Sequence, residues 1–157
     1  MGADEAKRTY LVVIDDSPEA RVALRFAARR AAKTNGRIEV LGIVEPQDFV
    51  QFGGVQAAIE EEQRLRIEGV VSAAVGEILD EAGIEANVIV RQGEPVRSVR
   101  DYIGTRAEVA ALVLGAAPSG NPGPLVANFC GSDAGRLPCP VMLIPGSLSD
   151  ERLEQLS

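Results

Sequence analysis

The chain has 157 residues, of which 46% are apolar and 25% are charged, a balance typical of a globular protein and unlike that of a disordered chain. Its formal net charge of −7, with the basic residues scattered, argues against nucleic acid or an anionic membrane as the partner. With no histidine, and with Cys130 and Cys139 too far apart for a Cys-x-x-Cys pair, neither a metal centre nor a redox motif is expected.

The first strand and helix are predicted by an apolar run followed by a capping signal. The run from Tyr10 to Ile14 is rich in β-branched residues. Ser17 is a good N-cap, and Pro18 opens a helix that Asn35-Gly36 ends. Small apolar residues recur on one stripe of this segment, which predicts an amphipathic helix: Ala20, Ala23, Leu24, Ala27, Ala28 and Ala31.

A second strand and a long helix follow. The strand covers residues 38–44, and residues 47–54 form a loop because two glycines break any period. The helix runs from about Val55 to Ala82 and is stopped by Gly83. Its predicted core face consists of Ile67, Val71, Ala74, Ile78 and Leu79.

The second half of the chain continues this alternation. Ile84–Val90 alternates apolar and polar residues as a strand does, and residues 95–104 form a third helix. Val109–Leu114 is apolar at every position, which is typical of a strand between two layers of helices. Leu125–Leu137 predicts a fourth helix and Val141–Ile144 a fifth strand.

The order βαβαβαβαβ predicts an α/β fold with a doubly wound, open parallel sheet and helices on both faces, because parallel neighbours need a helical crossover. We find no second domain, linker or repeat, so residues 1–157 are expected to form one domain with a core of about residues 8–146 and a tail of residues 147–157. Ligands of such sheets bind beyond the carboxyl ends of the strands, where the strand order reverses. The segments of interest there are Asp15–Ser17, Ile43–Glu45 and the loop of residues 115–124.

That loop carries three glycines that allow backbone N–H groups to approach a phosphate: Gly115, Gly120 and Gly123. Its three prolines each remove a donor. Four short segments, in this order and spacing, resemble the universal stress protein family: Leu11–Asp15, Ile43–Pro46, Val113–Gly115 and Pro138–Val141. The likeness covers about residues 8–146. It implies strand order 3-2-1-4-5, a homodimer, a role in stress survival and, in one subfamily, the binding of ATP; other subfamilies bind no nucleotide.

The resemblance also implies where a nucleotide would bind. Asp15 maps onto an acidic residue that meets the ribose, and Ile43 onto a backbone position that meets adenine. The family holds phosphates with the pattern Gly, two residues, Gly, nine residues, then Gly and Ser or Thr. Only Gly115 maps cleanly onto this pattern, and Pro118 stands in place of its second glycine.

The end of the phosphate pattern can be placed in two ways. Gly131-Ser132 matches by residue type but leaves too few residues for the family's last helix. Counting back from Pro138 without gaps places Ala127-Asn128 there instead. We prefer this second register because it keeps a full helix over Leu125–Leu137. The phosphate motif is then largely absent, although Asn128 can still donate a hydrogen bond.

We therefore expect a stress-response protein without strong catalytic activity that needs no cofactor and binds ATP or AMP weakly, recognising adenosine better than phosphate. Residues 115–135 contain no Lys or Arg. The alternative is an ATP-binding member that acts as a nucleotide-dependent switch or slow ATPase. The N-terminus is acidic and no apolar run is long enough to span a bilayer, so we expect a cytoplasmic protein without a signal peptide.

The fifth strand predicts a homodimer. In the family's strand order it lies at the sheet edge, and it is apolar on both faces, a hazard for an uncovered edge: Val141, Met142, Leu143 and Ile144. Ser149 can cap a short tail helix over Asp150–Leu156, with Leu148 and Leu153 in hydrophobic-staple positions. We expect Leu153 and Leu156 to pack on the dimer, with their own subunit as the alternative.

Overall fold

The computed structural model describes residues 7–46 and 53–157, and over these residues the chain forms a five-stranded parallel sheet. The strands are β1 (Thr9–Ile14), β2 (Arg37–Val44), β3 (Ala86–Gln92), β4 (Val109–Ala116) and β5 (Val141–Pro145). The helices are α1 (Pro18–Thr34), α2 (Gly53–Ala82), α3 (Pro95–Gly104), α4 (Pro124–Ala127) and α5 (Asp150–Leu156). The strand order β3-β2-β1-β4-β5 confirms the predicted doubly wound α/β fold.

Helices cover both faces of the sheet, and an apolar cluster lies under each layer. β1 is buried at all six positions, because it lies at the centre of the sheet and its side chains alternate between the two clusters. α1, α2 and α5 pack on one face, where the small residues of α1 let that helix lie close to the strands. α3 and α4 pack on the other face.

Most predicted boundaries lie within about two residues of the observed ones. β3 begins at Ala86 and not at Ile84. α2 already contains Gly53; of its predicted core face, Val71, Ala74 and Ile78 are buried and Ile67 is partly buried. The side chain of Leu79 and the predicted loop residues 47–52 lie outside the described part. No helix in the described ranges combines the length and the hydrophobicity that crossing a membrane requires.

The predicted continuous helix over Leu125–Leu137 is wrong. α4 ends at Ala127 and is followed by a π turn over Asn128–Ser132 and a 3₁₀ turn over Ala134–Arg136. Gly131 has φ −116° and ψ −110°, outside the helical region. Glycine has low helix propensity, so the chain leaves the helix there at little cost. The placement of Asn128 in the phosphate pattern depended on a full helix over this segment. Because that helix is absent, the structure does not favour this placement.

α5 packs on its own subunit, with Ser149 as its N-cap as predicted. Leu153 is completely buried in the cluster under α1, so the expectation that it packs on a dimer partner is wrong. The reason is electrostatic as well as apolar. Arg25 of α1 binds the carboxylate of Asp150 at 2.9 Å, and Lys33 donates to a backbone oxygen of Ser157 at 2.6 Å. Leu156 remains exposed.

Candidate functional site

A cavity of about 420 Å³ lies beyond the carboxyl ends of β1, β2 and β4. The crossovers from β1 to β3 pass over one face of the sheet, and those from β3 to β5 pass over the other. The strand order therefore reverses between β1 and β4, which is where open parallel sheets bind ligands. Four of the six predicted site residues line this cavity: Asp15, Ile43, Gly115 and Gly123.

The other two predicted residues lie elsewhere. Gly120 is exposed in the loop and is not among the lining residues, and neither is Asn128. The amide nitrogen of Asn128 donates to the carboxylate of Asp133 at 3.0 Å. Hydrogen bonds from Arg100 and Asn128 hold the pKa of Asp133 below its usual value. Asn128 and Arg100 both bind the carboxylate of Asp133, so these bonds connect the π turn to α3.

Asp15 forms the turn between β1 and α1 and still has one carboxylate oxygen available. Its Oδ1 accepts hydrogen bonds from the backbone N–H of Ser17, at 2.9 Å, and from the Ser17 hydroxyl. The Ser17 hydroxyl oxygen in turn caps α1 by accepting from the N–H of Ala20 at 3.3 Å. The Oδ2 atom of Asp15 accepts no hydrogen bond from the described residues. This exposed carboxylate can therefore accept a hydrogen bond from a ligand hydroxyl.

Gly115 is required by packing whether or not a ligand binds. A Cβ atom at this position would lie 2.1 Å from the carbonyl oxygen of Glu19, in the first turn of α1. Real Cβ atoms do not approach an oxygen this closely, so only glycine fits between β4 and α1 without a shift of the backbone. The match of Gly115 to a phosphate motif and its role in packing are two separate reasons for the same residue.

Sequence reasoning missed the contribution of α2 to the cavity. A Cβ atom at Gly42 of β2 would lie 2.9 Å from the Ile67 side chain, so α2 crosses β2 at close range. The helix then extends past the end of the strand and places Gln63, Arg66 and Ile67 on the cavity wall. Their i, i+3, i+4 spacing shows that they share a face of the helix, which was the available signal.

Arg66 and Asp16 both line the cavity, and the guanidinium of Arg66 binds the carboxylate of Asp16. Among the described residues, the other charged side chains that line the cavity are Asp15, Glu19 and Glu45, so four carboxylates lie on the same cavity as one guanidinium. Within the described part of the chain, no three acidic or cysteine side chains are grouped as a metal site would require. The floor between these charges is apolar and includes Ile43, Leu114 and Val126.

Glu94 is the N-cap of α3. Its carboxylate accepts hydrogen bonds from the N–H groups of Arg97, at 2.8 Å, and Val96, at 3.0 Å. These two bonds lower the pKa of Glu94. Pro95, the first residue of the helix, touches the cavity, so the cap also fixes one part of the cavity wall.

Comparison with known proteins places this architecture in a family. The family model described as the universal stress protein family matches residues 7–145. A universal stress protein UspA from Lactobacillus plantarum superposes with a TM-score of 0.73 at 18% identity, covering 87% of this chain and 97% of that one. A universal stress protein in complex with cAMP superposes with a TM-score of 0.61 at 20% identity, covering 91% of this chain and 100% of that one.

A universal stress protein family protein from Arabidopsis thaliana with AMP bound gives a TM-score of 0.60 at 15% identity, covering 92% of this chain and 94% of that one. No curated protein sequence matches the chain. At these identities the solved structures show a shared fold, whereas the family model matches the sequence itself over most of its length. The chain therefore belongs to the universal stress protein family.

Proposed function

We propose that this chain is a single-domain, cytoplasmic stress-response protein that forms a homodimer, binds adenine nucleotides weakly and performs no strong catalysis of its own. One observation carries the ligand class: Asp15, Ile43, Gly115 and Gly123 converge on one cavity at the reversal of strand order. Solved relatives with cAMP or AMP bound support an adenine nucleotide as the ligand.

Recognition of adenosine is the better-supported half of this proposal. The apolar part of the cavity lining, which includes Ile43, Leu114 and Val126, can contact the flat face of a base, as the apolar lining of a ligand site does. The available Oδ2 of Asp15 can accept a hydrogen bond from a ribose hydroxyl. Ile43 lies on the same cavity at the end of β2, where backbone groups can meet the edge of adenine.

Recognition of phosphates is the weaker half. Residues 115–135 contain no Lys or Arg, and the three prolines of the loop donate no N–H. Each missing charge-assisted hydrogen bond costs roughly 1.5–3 kcal/mol of binding energy, so the loss of two weakens binding by about two to four orders of magnitude. This is why we favour weak binding over the alternative of an ATP-dependent switch or slow ATPase.

Calorimetric titration of the purified chain with ATP, AMP and adenosine tests the proposal. We expect dissociation constants within about tenfold of one another, because most of the binding energy comes from the shared adenosine. ATP that binds a hundredfold tighter than adenosine would contradict this. ATP turnover should stay at the rate of a blank without protein, and mass spectrometry of small molecules released by denaturation identifies any ligand retained from the cell.

The homodimer is proposed to form through β5. This strand lies at one edge of the sheet, where Leu143 is 44% exposed and Val141 and Met142 are half-buried. An apolar edge strand is protected when a second copy pairs with it. Sedimentation at micromolar concentration should give a dimer for the natural sequence.

Variants at the two sheet edges make this test specific. Leu143→Asp should give monomer or aggregate, because it places a charge at the paired edge. Val88→Asp is the matched control, because Val88 is 41% exposed on β3 at the opposite edge and should leave the dimer intact. A monomeric natural sequence, or equal effects of the two variants, would rule out an interface through β5.

A further inference from the structure

The only Lys or Arg among the described residues that line the cavity is Arg66, on α2. The sequence of residues 1–6 and 47–52 contains neither residue type. We infer that Arg66 binds the phosphate of a nucleotide that carries a single phosphate group; this inference rests on the proposed nucleotide function. Asp16 then competes with that phosphate for Arg66. The ligand class is therefore an adenosine monophosphate, either the open monoester or the cyclic diester.

The position of Arg66 suits this role. Its guanidinium binds Asp16, and Asp16 is the direct neighbour of Asp15, the residue proposed to hold the ribose. A phosphate attached to that ribose lies close to where the guanidinium already is. The side chains of Arg66 and Asp16 are 68% and 52% exposed, so rotation from one anion to the other is not blocked by packing.

The charge balance of the cavity limits the ligand to one phosphate group. A guanidinium matches a single phosphate with two parallel hydrogen bonds. Further phosphates of ADP or ATP find no second cation on the cavity wall, and they approach the carboxylates of Asp15, Glu19 and Glu45 instead. Like charges at close range oppose binding. Added phosphates should therefore bring no gain in affinity.

The contact with Asp16 makes phosphate binding competitive. Exposed ion pairs of this kind are weak, so a phosphate can displace Asp16. The pair still lowers the affinity for the phosphate, because it must be broken first. Freeing Arg66 from Asp16 should raise the affinity for a monophosphate by up to about fivefold.

Calorimetry on the full chain with adenosine, AMP, cyclic AMP and ATP, at equal magnesium concentration, tests the inference. The measured quantity is the ratio of each nucleotide's affinity to that of adenosine. For the natural sequence we expect AMP or cyclic AMP to bind about three- to tenfold tighter than adenosine, and ATP to bind no tighter than the better monophosphate. Comparison of AMP with cyclic AMP distinguishes the monoester from the diester.

Four variants separate release of Arg66 from a general change of charge. Arg66→Gln should bring the monophosphate ratio to about one. Asp16→Asn should raise the ratio by up to about fivefold, and this gain should vanish in the double variant with Arg66→Gln. Glu45→Gln is the matched control, because it removes a carboxylate from the same cavity without freeing Arg66. Its effect should be smaller than that of Asp16→Asn.

The outcomes distinguish this inference from the proposed function. If adenosine binds but Arg66→Gln leaves the monophosphate ratio unchanged, Arg66 is not the phosphate residue, and the adenosine site survives. If ATP binds tighter than both monophosphates, the limit of one phosphate group is wrong. If adenosine and all the nucleotides fail to bind the natural sequence, the proposed nucleotide function fails and the inference fails with it.

Discussion

The two ends of the sheet use carboxylates in different ways. At the amino end, Glu39 of β2 is only 4% exposed, and its oxygens accept hydrogen bonds from the Tyr102 hydroxyl at 3.0 Å, from Arg106, and from Asn87 at 3.4 Å. At the carboxyl end, Asp15 is exposed and one of its oxygens has no partner among the described residues.

Hydrogen-bond satisfaction, and not charge, separates the roles of these two carboxylates. A buried carboxylate whose acceptors are filled by its own chain stabilises the fold, and loss of one partner leaves a costly buried group. An exposed carboxylate with an open acceptor contributes little to stability and is available to a ligand. Substitutions at the amino end should therefore change the free energy of unfolding, and those at the carboxyl end should change binding.

The largest effect is expected for Glu39→Ala. It leaves the Tyr102 hydroxyl and one guanidinium nitrogen of Arg106 without an acceptor, and we expect the free energy of unfolding to fall by about 3 kcal/mol in urea denaturation. Glu108→Ala is the control: Glu108 also binds Arg106 but is 47% exposed, so its loss should lower the free energy of unfolding far less than the loss of Glu39 does. Equal losses in the two variants would mean that the burial of Glu39 adds nothing to stability.

Gly115→Ala tests whether a carboxyl-end residue can be structural. The new Cβ atom meets the Glu19 carbonyl oxygen, so the backbones of β4 and α1 must separate. We expect the free energy of unfolding to fall by about 2 kcal/mol. Gly69→Ala on α2, where no atom lies within 4 Å of the new Cβ, should instead raise it by about 0.5 kcal/mol. A stable Gly115→Ala protein that binds adenosine normally would mean that β4 and α1 accommodate the new Cβ atom without loss of stability.

Asp15→Ala should separate binding from stability. Loss of a charge-assisted hydrogen bond to the ribose should weaken adenosine binding at least about tenfold, as measured by calorimetry. The free energy of unfolding should change by less than about 1 kcal/mol, since Asp15 is exposed and its partner Ser17 still caps α1. Unchanged adenosine affinity would mean that Asp15 is only a turn residue and that the site is wrongly placed.

The smallest effect is expected from alkaline pH at the amino end. Burial, and then the neighbouring Glu39, raise the pKa of Tyr102 to about 12. The folded state thus favours the neutral phenol, so its contribution is complete below about pH 10 and is lost between about pH 10 and pH 12. We expect a loss on the order of 1 kcal/mol by about pH 11 in urea denaturation.

Two tyrosine variants assign this alkaline loss. Tyr102→Phe should remove it, because no phenol remains to ionise beside Glu39. Tyr10→Phe should keep it, because Tyr102 is intact and the Tyr10 hydroxyl bonds Thr34, at the C-terminal end of α1, away from Glu39. An alkaline loss that persists in Tyr102→Phe would place its origin outside the Glu39 network.

The fold was predictable because its signals are local. Apolar runs predicted the strands, and the predicted caps Ser17 and Ser149 each accept a hydrogen bond from a backbone N–H in the first turn of their helix. The broken helix after α4 was not predictable in the same way. The backbone there is held by an ion pair between Asp133 and Arg100, which lie 33 residues apart in the sequence. Gly131 and Gly135 have low helix propensity, so the chain leaves the helix at little cost.

The cavity was predictable only in part, for a similar reason. Strand ends indicate where a ligand binds, so Asp15 and Ile43 were found from the sequence. Arg66 was missed because its spacing from Gln63 and Ile67 shows that the three share a face of α2, but not that this turn of the long helix extends past the end of β2. Likewise Glu39 occupies an ordinary position in a strand, and its burial depends on Tyr102 and Arg106, which follow it by 63 and 67 residues.

The exposed pair of Arg66 and Asp16 makes the carboxyl end responsive to dissolved ions. The screening length is about 8 Å in physiological salt and about 3 Å at 1 M, so discrimination by exposed charges fades as salt is added. The Glu39 network is shielded from ions by its burial and keeps its strength. In concentrated salt, the proposed preference among nucleotides should therefore disappear well before the fold is lost.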